Sequence, residues 1–281
     1  MDRIFSRLFS GIDQSLIGHN YRSIIGFYEK FLTLAEYMNK AESLLVLGKA
    51  ASLRRISSKK LNSTVRNCQF RCIANSVDLQ SLDFDKNINF DVQVSTRVDN
   101  PNLISPVLGE SLLNQFGVRA LCVNSRMDYA YGSSLRKFHK FYKDYNRQLL
   151  CMGKGFHPVS PDAKNYGGRG LTIVSSILQE AFCLKSLNSI YLMGIDFFGT
   201  MYTDSHREKT KEEQVTFYDY NACSDSPRLT HGLPLLRYIN AVVNSNWCRP
   251  DFVVFLPREV SVHIPGEIKS SLLRSSHFAF F

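Results

Sequence analysis

The chain has 281 residues, 44% of them hydrophobic, which is enough for a substantial core and excludes wholesale disorder. Its 34 basic and 25 acidic side chains give a net charge of +9, which favours an acidic partner: nucleic acid, an anionic membrane or a phosphorylated metabolite. The sequence has neither an apolar run that could span a bilayer nor a signal peptide at its start, so we expect a cytoplasmic protein.

The seven cysteines are scattered along the chain and show no paired zinc-ligand spacing. Only Cys68 and Cys72 lie near each other in sequence. This usage is typical of reduced thiols in a cytosolic protein. We therefore expect free and mostly buried cysteines.

Residues 1–42 carry apolar side chains at helical spacing and basic side chains between them. They are predicted to form an amphipathic helical extension, which packs on the sheet or on another subunit of a homo-oligomer. The alternative is a basic segment that rests peripherally on a membrane surface. Interspersed acidic residues favour the packed arrangement.

Short apolar runs alternate with helical patterns from residue 43 onward. The predicted strands are 44–47, 69–74, 91–95, 119–123, 148–152, 189–193 and 251–256. The predicted helices are 105–117, 133–145, 170–187 and 233–244. This alternation predicts an α/β fold: a Rossmann-like, mostly parallel sheet with helices on both faces.

The stretch SLLVLGKAASLRR, residues 43–55, has an apolar run that stops at Gly48 and is followed by small residues. This order predicts a strand, a tight turn and then either the start of a helix or a second loop. Such a turn lies at the carboxyl end of a strand, where ligands bind in open α/β sheets. Small residues let the backbone approach a phosphate or a sugar, and free N–H groups favour an anion. The stretch is neither a dinucleotide fingerprint nor a Walker loop, and units of this composition can also bind nothing.

Four pieces of sequence occur in order along the chain. They are LVLGKAASL at 45–53, Phe70-Arg71-Cys72 followed by Asn75, IYLMGIDF at 190–197, and Thr230-His231-Gly232 ahead of a strand that ends in Phe255-Leu256-Pro257. Together they resemble the bacterial sialyltransferases that decorate lipooligosaccharides and use CMP-activated sialic acid. The resemblance covers about residues 43–260.

The resemblance implies a GT-A variant domain over residues 43–260, with a small lid at about 198–231. The tail over residues 261–281 lies outside the resemblance; its basic and apolar composition predicts that it packs down or touches lipid. The resemblance further implies inverting transfer of a 2-keto sugar acid from a CMP donor to a glycan or glycolipid acceptor, with no metal or other cofactor. Sialic acid, a related nonulosonate and Kdo all fit this donor. The enzyme would act in the cytoplasm or at the inner face of the cell membrane.

The resemblance also assigns catalytic residues. His231 matches the family's general base, and an imidazole is poised near neutral pH for this role. Tyr202 matches one of two tyrosines that donate hydrogen bonds to the leaving phosphate. The second tyrosine position holds Phe198, which cannot donate. The replacements to consider are Arg169, Arg207 and Tyr218, unless the alignment is shifted by one residue.

The resemblance assigns nucleotide-binding residues as well. Gly48 and Ser52 match the first loop, where Lys49 replaces a usual asparagine and either meets the phosphate or points into water. Asn75 and Asn100 resemble the asparagines that hold the nucleotide.

Arg169 and Gly170 open the long predicted helix, whose N-terminal N–H groups suit an anionic group. Gly194 ends the strand before Asp196, and Asp196 either caps the turn or contacts the substrate.

Two other features have competing interpretations. Asp83-Phe84-Asp85 has the Asp-x-Asp pattern of metal-dependent glycosyltransferases, but its polar context predicts a surface loop. The predicted helix 133–145 mixes basic and aromatic residues, as a basic nucleic-acid- or anion-binding Rossmann-like protein without transferase activity would. Helical spacing would bury these aromatic residues and leave the basic ones in solvent, so we expect no nucleic-acid partner.

Overall fold

The computed structural model describes residues 30–48, 53, 55–75, 77, 79–85, 87–95, 110–123, 138–140, 142–152, 173–195, 235, 238–239, 253–258 and 266–281. These residues form one parallel sheet with helices on both faces, which confirms the predicted α/β Rossmann-like fold.

The elements follow one another in an alternating order. The strands are β1 Leu32–Thr33, β2 Ser43–Leu47, β3 Phe70–Ala74, β4 Val92–Ser95, β5 Ala120–Val123, β6 Gln148–Cys151, β7 Ser189–Met193, β8 Val253–Leu256 and β9 Phe278–Phe280. The helices with described bounds are α1 Leu34–Tyr37, α2 Ser58–Asn67, α3 Glu110–Gln115, α4 Ile173–Ala181 and α5 Gly266–Arg274. Residues 138–140 and 142, and residues 235, 238 and 239, are also helical.

The strand order is β1-β6-β5-β4-β3-β2-β7-β8-β9, and every pair of neighbours is parallel. From β2 to β6 the chain adds strands on one side, and from β7 to β9 it adds them on the other. The direction of winding therefore reverses between β2 and β7. Right-handed crossovers in opposite directions place their helices on opposite faces of the sheet.

The two faces of the sheet carry separate hydrophobic layers. Leu44 and Val46 of β2 lie in the layer that contains residues of α1, α4 and α5, whereas Leu45 and Leu47 lie in the layer that contains residues of α2 and α3. All four side chains are fully buried. A strand that is covered on both sides needs apolar residues at successive positions, which explains the unbroken run in β2.

A reciprocal capping box fixes α1 directly after β1. The N–H of Thr33 donates to Glu36 Oε2 at 2.7 Å, and the N–H of Glu36 donates to Thr33 Oγ1 at 3.1 Å. A second carboxylate oxygen, Glu180 Oε2 of α4, accepts the N–H of Ala35 at 3.3 Å. Carboxylates near a helix N-terminus are favourable because the helix dipole is positive there.

The seven predicted strands are confirmed, but both ends of the described chain differ from the sequence expectation. Leu32–Thr33 is an edge strand rather than part of a helix, and Phe278–Phe280 adds a strand at the other edge. The sheet therefore extends beyond the expected limits of 43 and 260. Strands of two and three residues are too short to show the alternation from which a strand is predicted.

The sequence left open whether a helix or a second loop begins after residues 53–55, and the structure has helix α2 there. The hydrophobic pattern did not decide between them because the buried side of α2 is half polar: Leu61 and Val65 lie there with Asn62 and Thr64. In contrast, the aromatic residues of predicted helix 133–145 behave as expected where they are described. Phe138 is fully buried, and its ring centroid lies 5.0 Å from that of Tyr142.

Arg71, the second residue of β3, ties that strand to the C-terminal end of α2. Its Nε donates to the carbonyl oxygens of Val65 at 2.7 Å and Cys68 at 3.1 Å, and Nη1 donates to the carbonyl oxygen of Asn89 at 3.3 Å. A guanidinium in this position satisfies the last carbonyl groups of a helix and complements its dipole. Arg71 therefore has a structural role.

Replacing Arg71 by Met should destabilise the protein, because it removes charge-assisted hydrogen bonds to carbonyl groups at the end of α2. We expect R71M to lower the free energy of unfolding by about 1.5–3 kcal/mol in urea titrations. The matched control is R66M, which removes an exposed ion pair with Asp85 from the same end of α2 and should cost less than about 1 kcal/mol. Equal losses in the two variants would contradict the assigned role of Arg71.

Candidate nucleotide site

The ends of β2 and β7 touch through two glycines. The N–H of Gly48 donates to the carbonyl oxygen of Met193 at 2.8 Å, so the β2–β7 pairing continues to the carboxyl edge of the sheet. A side chain at Gly48 would overlap the carbonyl oxygen of Gly194. In the same way, a Cβ at Gly194 would lie 2.5 Å from the carbonyl oxygen of Gly48. Gly194 also has φ +64°, a left-handed conformation that favours glycine. Both positions therefore require glycine.

This contact lies where the winding of the sheet reverses. In open α/β sheets the crevice at the carboxyl ends of the strands, at the point of reversal, is the usual ligand site. Helix α2, which follows β2, packs on one face of the sheet, whereas the helical residues 235, 238 and 239, which follow β7, pack on the other. The space beside each glycine is filled by the other strand end, with the Ile195 side chain next to Gly48 and Leu53 next to Gly194, so the glycines allow two backbones to pack tightly at this crevice.

Asn75 lies at the same edge, directly after β3. Its φ of +63° is left-handed, which is uncommon for a residue other than glycine and is best tolerated by asparagine and aspartate. Two hydrogen bonds hold this backbone: the Asn75 N–H donates to the carbonyl oxygen of Val94 at 2.7 Å, and Gln93 Nε2 donates to the Asn75 carbonyl oxygen at 3.0 Å. Non-glycine residues held in this way are enriched at ligand sites.

Gln93 and Ser95 were not identified from the sequence. Both side chains belong to β4 and are fully buried, on the face opposite Val92 and Val94. The alternation Val-Gln-Val-Ser predicts a strand with one face in water, but β4 lies inside the sheet with neighbours on both sides. A polar face on an internal strand was the available signal, because buried polar groups need partners.

Three of the predicted nucleotide-binding residues, Gly48, Asn75 and Gly194, lie within the described part of the chain. They follow the neighbouring strands β2, β3 and β7, so the structure brings all three to one edge of the sheet. The other predicted site residues lie outside the described residues: Lys49, Ser52, Asn100, Arg169, Gly170, Asp196, Phe198, Tyr202, Arg207, Tyr218 and His231. The expected lid also lies outside them.

The Asp-x-Asp pattern is a surface loop, as predicted. Asp83 and Asp85 are exposed, and Asp85 forms an ion pair with Arg66 at 2.5 Å. Within the ranges that the structure describes, no three His, Cys, Asp or Glu side chains are grouped so that they could hold a metal ion. Nor does any helix in those ranges combine the length and apolar character needed to cross a membrane.

The described cysteines are free thiols, and only Cys183 among them is exposed. Burial raises the pKa of the Cys68 thiol to about 12, and it raises the pKa of Cys72 well above its ordinary value. Thiols with a raised pKa are poor nucleophiles because little thiolate forms near neutral pH. Cys68 and Cys72 are therefore packing residues, in agreement with the expectation from sequence.

A partly buried carboxylate lies at the opposite, amino edge of the sheet. Burial raises the pKa of Asp91, and this effect outweighs the hydrogen bond from the Arg71 N–H and the charges of Arg71 and Arg119, which lower it. Asp91 Oδ2 accepts the N–H of Arg71 at 2.9 Å, and its backbone oxygen accepts the N–H groups of Arg119 and Ala120 at 3.2 and 3.0 Å. Asp91 therefore joins the starts of β3, β4 and β5 and lies away from the candidate site.

The sequence matches no protein-family model and no curated protein sequence. The class of the protein is therefore defined by its architecture. It is an α/β protein with a Rossmann-like parallel sheet, and its best candidate ligand site lies where β2, β3 and β7 end.

Replacing Gly194 by Ala should destabilise the protein by about 3 kcal/mol, of which about 1–2 comes from the left-handed backbone and the rest from overlap with Gly48. Gly117 is the matched control. It has φ +55°, but the nearest atoms to its added Cβ belong to the flexible side chain of Asn89. G117A should therefore cost only about 1–2 kcal/mol. Equal urea-unfolding losses would show that the two strand ends are not in tight contact.

Replacing Asp91 by Asn should stabilise the protein increasingly as the pH rises. Because the folded pKa lies above the ordinary 3.8, the folded state binds the proton more tightly than the unfolded chain. The stabilisation that this proton gives the folded state is fully present below the ordinary pKa of 3.8 and is lost as the pH rises through the folded pKa. Asn cannot ionise but keeps an acceptor for the Arg71 N–H.

The measurement is the urea midpoint of D91N and of the parent at about pH 4 and about pH 7. The difference between the two midpoints should grow as the pH rises. A difference that shrinks with pH would mean that Arg71 and Arg119 outweigh burial.

Proposed function

We propose that this protein is an inverting glycosyltransferase that moves a 2-keto sugar acid from its CMP donor to a glycan or glycolipid hydroxyl. The observation that carries the proposal is the glycine contact of Gly48 and Gly194 at the reversal of the sheet, with Asn75 beside it. These are three of the positions that the resemblance assigns to the nucleotide. A nucleotide phosphate suits this edge because ligands of open α/β sheets bind at the carboxyl ends of the strands where the winding reverses.

In the proposed reaction, the acceptor hydroxyl oxygen forms a bond to the anomeric carbon of the sugar acid. The bond from that carbon to the CMP phosphate oxygen breaks, and CMP leaves with the electron pair. His231 takes the proton of the acceptor hydroxyl as general base. Tyr202 and Arg169 stabilise the charge that develops on the leaving phosphate, so the proposal requires no metal.

The nucleotide in this proposal is held at the ends of β2, β3 and β7. Gly48, Lys49 and Ser52 would meet it from the first loop, Asn75 and Asn100 from the next two, and Gly170, Gly194, Asp196 and Phe198 from the side of β7. The donor is sialic acid, a related nonulosonate or Kdo in CMP-activated form.

The proposed setting is the cytoplasm or the inner face of the cell membrane. The net charge of +9 suits both an anionic donor and an anionic lipid surface. We do not propose a nucleic-acid partner, because Phe138 is buried in the core and Tyr142 packs against it. A buried ring such as that of Phe138 cannot stack on bases, as single-strand-binding proteins require.

The proposal is tested by incubating the protein with CMP-Neu5Ac and with CMP-Kdo and measuring release of CMP. One of the two donors should be turned over, and H231A should slow turnover by about 100-fold or more, the lower range for loss of a general base. H263A, at a histidine with no assigned role, is the control. Turnover by H231A at the rate of the parent would refute the mechanism.

Binding can be tested separately from chemistry. A ligand that binds only the folded state raises its stability, by about 2.7 kcal/mol at a hundredfold excess over Kd. CMP should therefore raise the Tm of the parent and of H231A alike, whereas NAD and ATP should not. A Tm that responds to NAD or ATP but not to CMP would exclude a CMP-sugar site.

A further inference from the structure

Phe281, which follows β9, contacts the first turn of α2. Lys60 Nζ donates to the Phe281 carbonyl oxygen at 2.6 Å and also lies over the Phe281 ring, 4.7 Å from its centroid. One ammonium group thus makes a charge-assisted hydrogen bond and a cation–π contact with the same residue. We call this pair the Lys60–Phe281 latch.

Phe281 is itself fixed on the sheet. Its N–H donates to the carbonyl oxygen of Leu256 at 3.0 Å, and its carbonyl oxygen accepts the N–H of Arg258 at 3.0 Å. Its ring meets the ring of Tyr191 edge to face at 5.7 Å, and Tyr191 is stacked on Phe255 at 4.5 Å. The latch therefore joins α2 to β7, β8 and β9.

A continuous set of contacts leads from the latch to the candidate nucleotide site. Ser57 caps α2 by accepting the N–H of Lys60 at 3.4 Å, and the N–H of Ile56 donates to the carbonyl oxygen of Leu53 at 3.3 Å. Leu53 is buried beside Gly194, because a Cβ added there would lie 3.3 Å from the Leu53 Cβ. The latch thus holds the start of α2, and this start holds Leu53 against the strand end.

We propose that the Lys60–Phe281 latch is a positioning device for the donor site: it holds the start of α2, and with it Leu53 against Gly194, in the arrangement that binds the CMP sugar. This inference rests on the proposed function for the identity of the ligand. A site that is ordered before binding loses less conformational freedom when the ligand arrives. Loosening the latch therefore weakens donor binding more than it slows chemistry.

The variant that tests the latch is K60M, which keeps the aliphatic stem and removes the charge and the donor. K59M is the matched control, because Lys59 belongs to the same turn of α2 and is exposed. K60M should raise KM for the CMP donor about tenfold, the ratio that corresponds to about 1.4 kcal/mol, with kcat within about twofold of the parent. K59M should leave KM unchanged.

Two further measurements separate positioning from a general loss of stability. Amide hydrogen exchange over residues 56–61 should be faster in K60M than in K59M, while exchange in β4 and β5 stays the same. F281L, which removes the ring and keeps the backbone carbonyl, should raise KM in the same direction. In the double variant K60M/F281L, the loss of donor-binding free energy should be smaller than the sum of the two single losses, because both substitutions remove the same cation–π contact.

The proposal is overturned if K60M binds the donor as the parent does, if K59M is equally impaired, or if K60M lowers kcat and leaves KM unchanged. If the parent protein neither binds CMP nor releases it from either donor, the proposed function fails and with it the role in donor binding. The exchange comparison still tests the latch itself in that case: equal exchange in K60M and K59M refutes it.

Discussion

The close approach of two backbones, at Gly48 and Gly194, is the constraint on which the rest of the molecule depends. Strands β2 and β7 come from distant parts of the chain and lie side by side, with their ends in direct contact. A side chain at either position would push the strand ends apart. This contact lies at the carboxyl edge where the winding of the sheet reverses, so the feature that allows the two halves to join also fixes the strand ends that border the candidate site.

The two edges of the sheet differ in chemistry. At the amino edge, Asp91 and Arg71 satisfy backbone groups and join three strands, and burial keeps the pKa of the Asp91 carboxyl raised. At the carboxyl edge, Asn75 holds a left-handed turn through Gln93 and Val94. The polar groups of one edge are used by the fold itself, whereas the backbone at the other edge is arranged where α/β proteins bind ligands.

Sequence reasoning located the central strands well, because strands covered on both faces carry runs of apolar residues. Residues 44–47 of β2 and 190–193 of β7 are such runs, and a glycine follows each of them. Sequence reasoning could not locate β1 and β9, because strands of two and three residues are too short to show a periodic hydrophobic pattern. It did not define α2 either, because the buried side of that helix includes Asn62 and Thr64. At the site, the two glycines could be located from sequence because each comes directly after an apolar run. The left-handed backbone of Asn75 and the burial of Gln93 and Ser95 depend on contacts with neighbouring strands, which local sequence does not reveal.

The pairing of Ser43 with Ser189 also bears on how the protein is made. While the ribosome synthesises the chain, β2 can acquire β3 on one side soon after it emerges, but its other side has no neighbour until β7 appears much later. Throughout that interval the apolar residues 44–47 present unpaired amide and carbonyl groups on one side, which is the type of surface on which nascent chains associate wrongly. Completion of the sheet around β2 therefore waits until β7 has been synthesised.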